Sequence, residues 1–497
     1  MSETGAGVAG YPGAPAALGD VYQRREPERS VLYQTLLEHT ETFLAENSVP
    51  AFVARTFRHF LDCGMLPRGF LRVVCSQCKH ESLVAFSCKD RGFCPSCTAR
   101  RAAQTAAHLV DSVLPHVPVR QWVLAVPFEL NHRLARDAVL EGKVLAIFID
   151  ELQRHLREVT DADEEAQTGT FTATQHFGSS LNLHVHHHVV ALDGVYEQSP
   201  DGTMTFSRAP APTSEELTGL VRRVATRVRK LVGQPETDEE PISQAPALKI
   251  FGAEPEEPAE PKLAAEHDGF NLHAAVAFEA HERVAIERLC RYILRGPLAL
   301  GRLTKGPRGN VIYRLKTPRP DGTTHIVLSP LALLQRLSWL CVLPRAHTTH
   351  YHGVLAPAHA WRALVVPKEA ELTKPPLRGC GTRWIKWSDL LRRVFLSSVL
   401  VCQLCGGERR IIAQIDEGPV ARKILAHLGL PSEPPRRSPA RAPDQLDAWN
   451  TGPPAWPDAD AEPPPNCDEW PPPDAGEDLP PAFDYDQRVP ETDLHVA

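Results

Sequence analysis

The chain has 497 residues, 12 cysteines and 46 prolines, with a formal charge of −7. That length exceeds what a single hydrophobic core sustains, so two or three domains are expected. No run of about 18 apolar residues occurs and the N-terminus lacks a basic stretch followed by an apolar one, which argues against a membrane span or an export signal and for a soluble cytoplasmic protein.

The charge is unevenly divided. Residues 443–497 carry fourteen acids against Arg488, and residues 235–268 carry ten against Lys249 and Lys262. Setting those segments aside leaves +14 on the rest of the chain, the balance of a protein that meets a polyanion, and nucleic acid fits best.

In chain order, residues 1–27 are rich in Gly, Ala and Pro and are expected to be disordered. From Ser30 to Cys63, apolar residues recur at spacings of three and four, which predicts two helices broken near Ser48-Val49-Pro50. A cysteine block follows. Cys75 and Cys78 form one CxxC knuckle and Cys94 and Cys97 another, with fifteen residues between them. Tetrahedral zinc takes four soft ligands, so these four thiolates predict a structural zinc ribbon, completing a unit over residues 28–108. Cys63, Cys88 and His80 are left over; Cys88 competes as a ligand, and Cys63 reads as a buried thiol. Arg100 and Arg101 belong to a basic rim that suits DNA phosphates.

Residues 109–234 read as an α+β core. Ala102–Leu114 is a predicted helix, Gln121–Val126 a strand, 129–157 a helix and 170–175 a strand. The next strand, within residues 181–194, carries His184, His186 and His188 at alternate positions, so three imidazoles share one face. Convergent imidazoles suit a divalent ion, with Mg²⁺ or Mn²⁺ the expected catalytic metal beside a phosphate. His184 and Gln175, the latter on the neighbouring strand, are alternatives for a third ligand. Residues 213–233 predict a basic helix, and 235–268 an acidic, Pro-rich linker.

Residues 269–431 hold the second chemical element, a helix ending at Gly296-Pro297. On it Arg288, Tyr292 and Arg295 share a face, and Arg291 flanks them. A tyrosine set between arginines can present its oxygen to a phosphate held by guanidinium groups. Further on, residues 310–340 predict a hairpin turned at Pro320-Asp321-Gly322 and then a helix, with Arg314, Lys316 and Arg319 facing DNA. His347, His350 and His352 form a second His-rich group. Cys402 and Cys405 form a lone CxxC for which Cys380 or a histidine could complete a second zinc site. Residues 432–497 are expected to be a disordered acidic tail.

SCKDRGFCPSC, QHFGSSLNLHVHHHVVALDGVY, IERLCRYILRGPLAL, YRLKTPRPDGTTHIVLSP, THYHGVLAP, CQLCGG and KILAHLGLP occur in that order. Over about residues 30–430 the chain thereby resembles rolling-circle transposases of the insertion sequence 91 family and their common-region relatives, HUH endonucleases acting on single-stranded DNA. The resemblance implies an antiparallel-sheet HUH core and a place beside the nucleoid. It also implies His186 and His188 as the paired histidines, Tyr292 as nucleophile, and single-stranded DNA at transposon ends as partner. The sequence departs from the family where His187 replaces a bulky apolar residue and where Arg288 replaces the second tyrosine, which implies a single-tyrosine type that reuses Tyr292 or recruits a second protomer. Two other classes compete: a zinc-ribbon DNA-binding regulator without catalysis, which leaves the His strand unexplained, and a hydrolytic metallo-phosphoesterase, which does not need Tyr292.

Overall fold

The computed structural model describes residues 26–233, 248–251, 263–319, 321–367, 401–402 and 404–441. Most of the predicted linker, Cys380, Pro320 and the tail beyond residue 441 lie outside the described residues.

Helices α1 (Val31–Glu46) and α2 (Ala51–Asp62) form the predicted pair, with Ser30 capping α1 through Tyr33 N–H and Pro50 preceding α2. Phe43, Phe57, Phe60 and Phe93 make the aromatic centre of this N-terminal core. A hairpin of β1 (Gly69–Cys75) and β2 (Glu81–Ala85) follows, then α3 (Pro95–Ser112), which begins on Pro95 and Cys97.

The central sheet is built from β3 (Val119–Ala125), β4 (Gly169–Phe177), β5 (Leu183–Leu192), β9 (Ala264–His267), β10 (Phe270–His273), β11 (Ala277–Phe278) and β15 (Thr349–Gly353), where labels count strands along the chain. Its order is β15-β4-β5-β3-β10-β9, with β11 on β3, and every pairing is antiparallel. β5 lies between β3 and β4, so both its edges are bonded and its side chains can only point to the two faces.

Helices cover both faces. Trp122, Leu124, Val185 and Val189 pack under α4 (Phe128–Arg136), α5 (Ala138–Thr160) and α6 (Ser214–Val232). Phe171, Ala173, Val190 and Leu192 pack under α3 and α7 (Arg283–Ile293). The single helix predicted over 129–157 is thus two, because Asp137 ends α4 and caps α5 through Val139 and Leu140 N–H.

The far end of β5 is locked. Arg120 and Asp193, 6 % and 2 % exposed, form a bidentate pair at 2.8 and 3.1 Å, and Arg120 also donates to the Ala274 carbonyl. The next residue, Gly194, begins the ribbon of β6 (Gly194–Gln198) and β7 (Met204–Arg208), and a Cβ there would lie 2.2 Å from the Ser207 carbonyl oxygen.

A second sheet contains β12 (Leu303–Lys305), β13 (Val311–Arg314), β14 (Thr323–Leu328) and β8 (Leu248–Phe251), so the predicted 310–328 hairpin is present and is extended on both sides. It is followed by α8 (Pro330–Trp339). The third sheet carries a departure from the expected order: β16 (Arg409–Asp416) pairs antiparallel with β1, Gly69 opposite Asp416 and Cys75 opposite Arg409. α10 (Pro419–His427), numbered after the short α9 (Arg362–Val365), packs Ala421 and Leu425 against Leu66, Phe70 and Leu83. Residues up to 441 lie along α1, with Arg441 on Glu38 at 2.6 Å and Arg437 on Glu41 at 3.4 Å, so the segment expected to start the tail at 432 begins as an ordered strap. Among the described residues, no helix is long and apolar enough to cross a membrane.

Candidate active site and metal centres

Alternation along β5 puts His184, His186 and His188 on the α7 face, with adjacent ring centroids 5.1 and 4.8 Å apart. His187 falls on the opposite face, where its Nδ1 meets Thr174 Oγ1 at 2.9 Å and Glu141 bonds His176 Nε2 at 2.6 Å. The residue that departs from the apolar pattern therefore does not compete with its neighbours for a shared ligand.

Burial lowers these imidazoles, His184 to about 4 and His188 to about 3, with the Arg295 cation a further cause at His188. His186 is also pushed well down, by burial first and by the His188 charge next. They are neutral at pH 7, the form that ligates metal. Their Nδ1 atoms are engaged: His186 at 3.1 Å from the His184 carbonyl and His188 at 2.8 Å from the Gln121 amide. Such contacts on one ring nitrogen orient the other toward the site. Gln121, on β3 one strand over, has no local motif to mark it and was missed in the sequence; its alternation with Trp122 is the signal that puts it on this face.

Gln175 sits directly across from His186 in the β4–β5 register. Its amide nitrogen donates to the Ile293 carbonyl at 2.6 Å, while its Oε1 is buried and lacks a hydrogen-bond partner among the described residues. An orphaned carbonyl oxygen beside neutral imidazoles fits a divalent cation of the Mg²⁺ or Mn²⁺ kind. The three imidazoles alone do not gather as a metal-binding trio; among the described residues only cysteines do.

The Gln175 bond ties the last residue of α7 to β4, the strand paired with the His strand, 118 positions away in sequence. Tyr292 is half-buried there. The Arg295 guanidinium lies 4.8 Å from its ring centroid and Lys316 Nζ 5.5 Å. Burial raises the Tyr292 phenol above its usual value, and the charges of Arg295 and Arg302 partly oppose this. Tyr313, on β13, is 3 % exposed, and burial raises it too, against Arg302 and Arg295. Arg302 and Lys316 thus join the site from outside the Tyr helix. Arg288 is exposed, Arg291 is half-buried, and Arg100 and Arg101 lie on the first turns of α3 with Arg101 exposed and bonded to the Lys89 carbonyl at 2.9 Å. The second His-rich group is not part of the site: His350 and His352 lie on edge strand β15 opposite Thr172 and Thr170, which alternate with the site-facing residues of β4.

The cysteines depart from the expected pairing. Cys75, Cys78, Cys94 and Cys97 do not form one site; the two knuckles are recruited to different quartets. Cys94 and Cys97 join Cys63 and Cys88, with Sγ separations of 3.6 Å for Cys94–Cys63, 3.4 Å for Cys88–Cys97 and 3.7 Å for Cys63–Cys97. Cys75 and Cys78 instead face Cys405 and Cys402. The physical reason is that β1 and β2 turn the first knuckle outward at the tip of the hairpin, whereas α3 starts inside the N-terminal core beside α2. In the buried quartet, contacts from Cys63, Cys88 and Cys94 lower the Cys97 thiol, favouring the thiolate.

Comparison with known families gives two matches. Residues 169–362, from β4 through α9, match the transposase family model Y2_Tnp. Residues 35–126, from α1 through β3, match the transposase zinc-binding domain of the IS91 type. Together they define a transposase that carries its own zinc-binding domain. The chain belongs to the IS91 family of transposases. No curated protein and no solved structure matches it.

Proposed function

We propose that this transposase cuts and rejoins single-stranded DNA at transposon ends by HUH chemistry, with Tyr292 as the only nucleophile. The observation that carries the reading is the junction of α7 with β4, where Gln175, directly across from His186 in the strand register, bonds the residue after Tyr292. His186 and His188, with Gln175 as third donor in preference to half-buried His184, would hold a divalent ion, which supplies charge neutralisation at the phosphoryl oxygens. Arg295, Arg302 and Lys316 gather the phosphate around the phenol. The Tyr292 oxygen bonds phosphorus as the bond to the 3′ oxygen breaks, giving a 5′-phosphotyrosine and a 3′-hydroxyl, and rejoining reverses the step without ATP. Arg288 and Arg291 on α7, with Arg100 and Arg101 on α3, extend the cationic surface along the strand. The buried quartet Cys63, Cys88, Cys94 and Cys97 holds the structural zinc of the matched domain. Strand transfer by a single tyrosine calls for reuse of Tyr292 or for a homodimer, and the working place of such a protein is the cytoplasm, at the nucleoid.

The test is incubation of labelled single-stranded end DNA with protein and Mg²⁺ or Mn²⁺. A denaturation-resistant adduct on the 5′ side of the break is expected, lost in Tyr292→Phe with DNA binding retained. Free 5′-phosphate ends without adduct would favour the hydrolytic phosphoesterase, and binding without cleavage the regulator. An undiminished adduct in Tyr292→Phe would move the nucleophile to Tyr313 or Tyr351.

A further inference from the structure

The resemblance of two knuckles at opposite ends of the chain has no part in the chemistry above. Around Cys75, its N–H donates to the His80 carbonyl at 2.8 Å, Lys79 N–H donates back to the Cys75 carbonyl at 3.2 Å, and Lys79 takes a left-handed φ of 64°. Around Cys402 the same three features recur: its N–H to the Gly407 carbonyl at 2.7 Å, Gly406 N–H to the Cys402 carbonyl at 2.8 Å, and a Gly406 φ of 73°. Each turn therefore presents two thiols, one buried and one exposed, from a backbone loop of the same form. The two loops are fastened face to face, with Ser76 N–H and Oγ donating to the Glu408 carbonyl at 2.8 and 2.9 Å. A Cβ on Gly407 would come within 2.8 Å of the exposed Gln77 side chain, which packs against this turn.

Cys75 Sγ lies 3.5 Å from Cys405 Sγ and Cys78 Sγ 3.4 Å from Cys402 Sγ, and all four sulfurs fall within 4.8 Å of one another. A disulfide needs about 2.05 Å. Four thiolates about 2.3 Å from a tetrahedral zinc stand about 3.8 Å apart, close to the observed spacing. We propose that Cys75, Cys78, Cys402 and Cys405 bind a second zinc ion as a tetrathiolate clasp that joins the C-terminal unit of β16 and α10 to the N-terminal hairpin. Half of its ligands lie far outside the matched zinc-binding domain, which ends at residue 126. The clasp stands independently of the cleavage mechanism.

Cys78 and Cys405 are exposed, so among the described residues nothing covers them and a bound metal would be what shields their sulfurs from reagents. Full-length protein purified without chelator is expected to contain two zinc ions per chain, and its Cys78 and Cys405 to resist iodoacetamide until zinc is withdrawn. Cys402→Ser/Cys405→Ser should hold one zinc, and Cys405→His, which keeps a ligand, should hold two. One zinc in the wild-type chain, or rapid alkylation of Cys405 while zinc is bound, would overturn the proposal; both readings use the unaltered protein, so a variant that fails to fold does not decide the matter. Retention of two ions by the double serine variant would also overturn it.

Discussion

At the residue scale, the site is a set of groups whose burial sets their charge. The imidazoles of β5 are held neutral, and the Tyr292 phenol is held protonated by the same burial, while Arg295 and Arg302 pull it the other way. Phenolate is the attacking form, so the rate should climb with pH toward the raised phenol value. Removing a cation raises that value further. Arg302→Ala is therefore expected to shift the alkaline limb of single-turnover cleavage to higher pH, with Tyr292→Phe inactive throughout; an unmoved limb would mean Arg302 does not sense the nucleophile. Gln175→Leu keeps the size of the side chain but loses both the Ile293 bond and the buried oxygen, so the divalent ion concentration for half-maximal cleavage should rise on the order of 10–100-fold, the range for lost supporting groups around a metal. An unchanged metal requirement would return the third position to His184.

At the element scale, two junctions keep β5 and α7 in place. Asp193→Asn leaves the Arg120 cation buried with its carboxylate partner gone, which should cost about 3–5 kcal/mol. An unfolding free energy from urea titration within about 1 kcal/mol of the wild type, less than the tenfold change in equilibrium constant that about 1.4 kcal/mol represents, would show that the pair is not the anchor. Gly296, just past α7, would place a Cβ 2.5 Å from Thr98 Oγ1 on α3. Gly296→Ala should therefore push the Tyr helix off α3 and slow cleavage, with Thr98→Ala partly restoring it. Periodicity made these elements legible in the sequence: alternation gave the His strand its face, and the three-and-four spacing gave α7 its Tyr–Arg row. The zinc ligands were only half legible. CxxC spacing identifies a knuckle but carries nothing about which other knuckle faces it, so Cys88, without a CxxC partner, read only as a competing ligand and Cys63 as a buried thiol, whereas both join the Cys94–Cys97 quartet. Gln121 and Arg302 were hidden for the same reason, and Lys316 was legible only as a DNA-facing cation of the hairpin, since its place beside Tyr292 depends on the folded chain.

At the scale of the whole molecule, the two quartets differ in access. Cys78 and Cys405 are exposed, whereas the other quartet has three buried sulfurs and one half-buried. A strong chelator should then draw zinc in two phases, and protection of the Arg409–Asp416 amides from hydrogen exchange should vanish with the first. A single phase, or loss of those amides only with the second, would contradict the assignment.

The β1–β16 pairing also bears on synthesis. Cys75 and Cys405 are 330 residues apart. At about 5–20 residues per second the ribosome needs roughly 15–70 s to deliver the missing strand. Until then β1 offers a bare edge, with Phe70 and Leu83 uncovered by α10. A nascent chain is thus vulnerable to aggregation for most of its own translation, and an interrupted message yields a protein that never closes that edge.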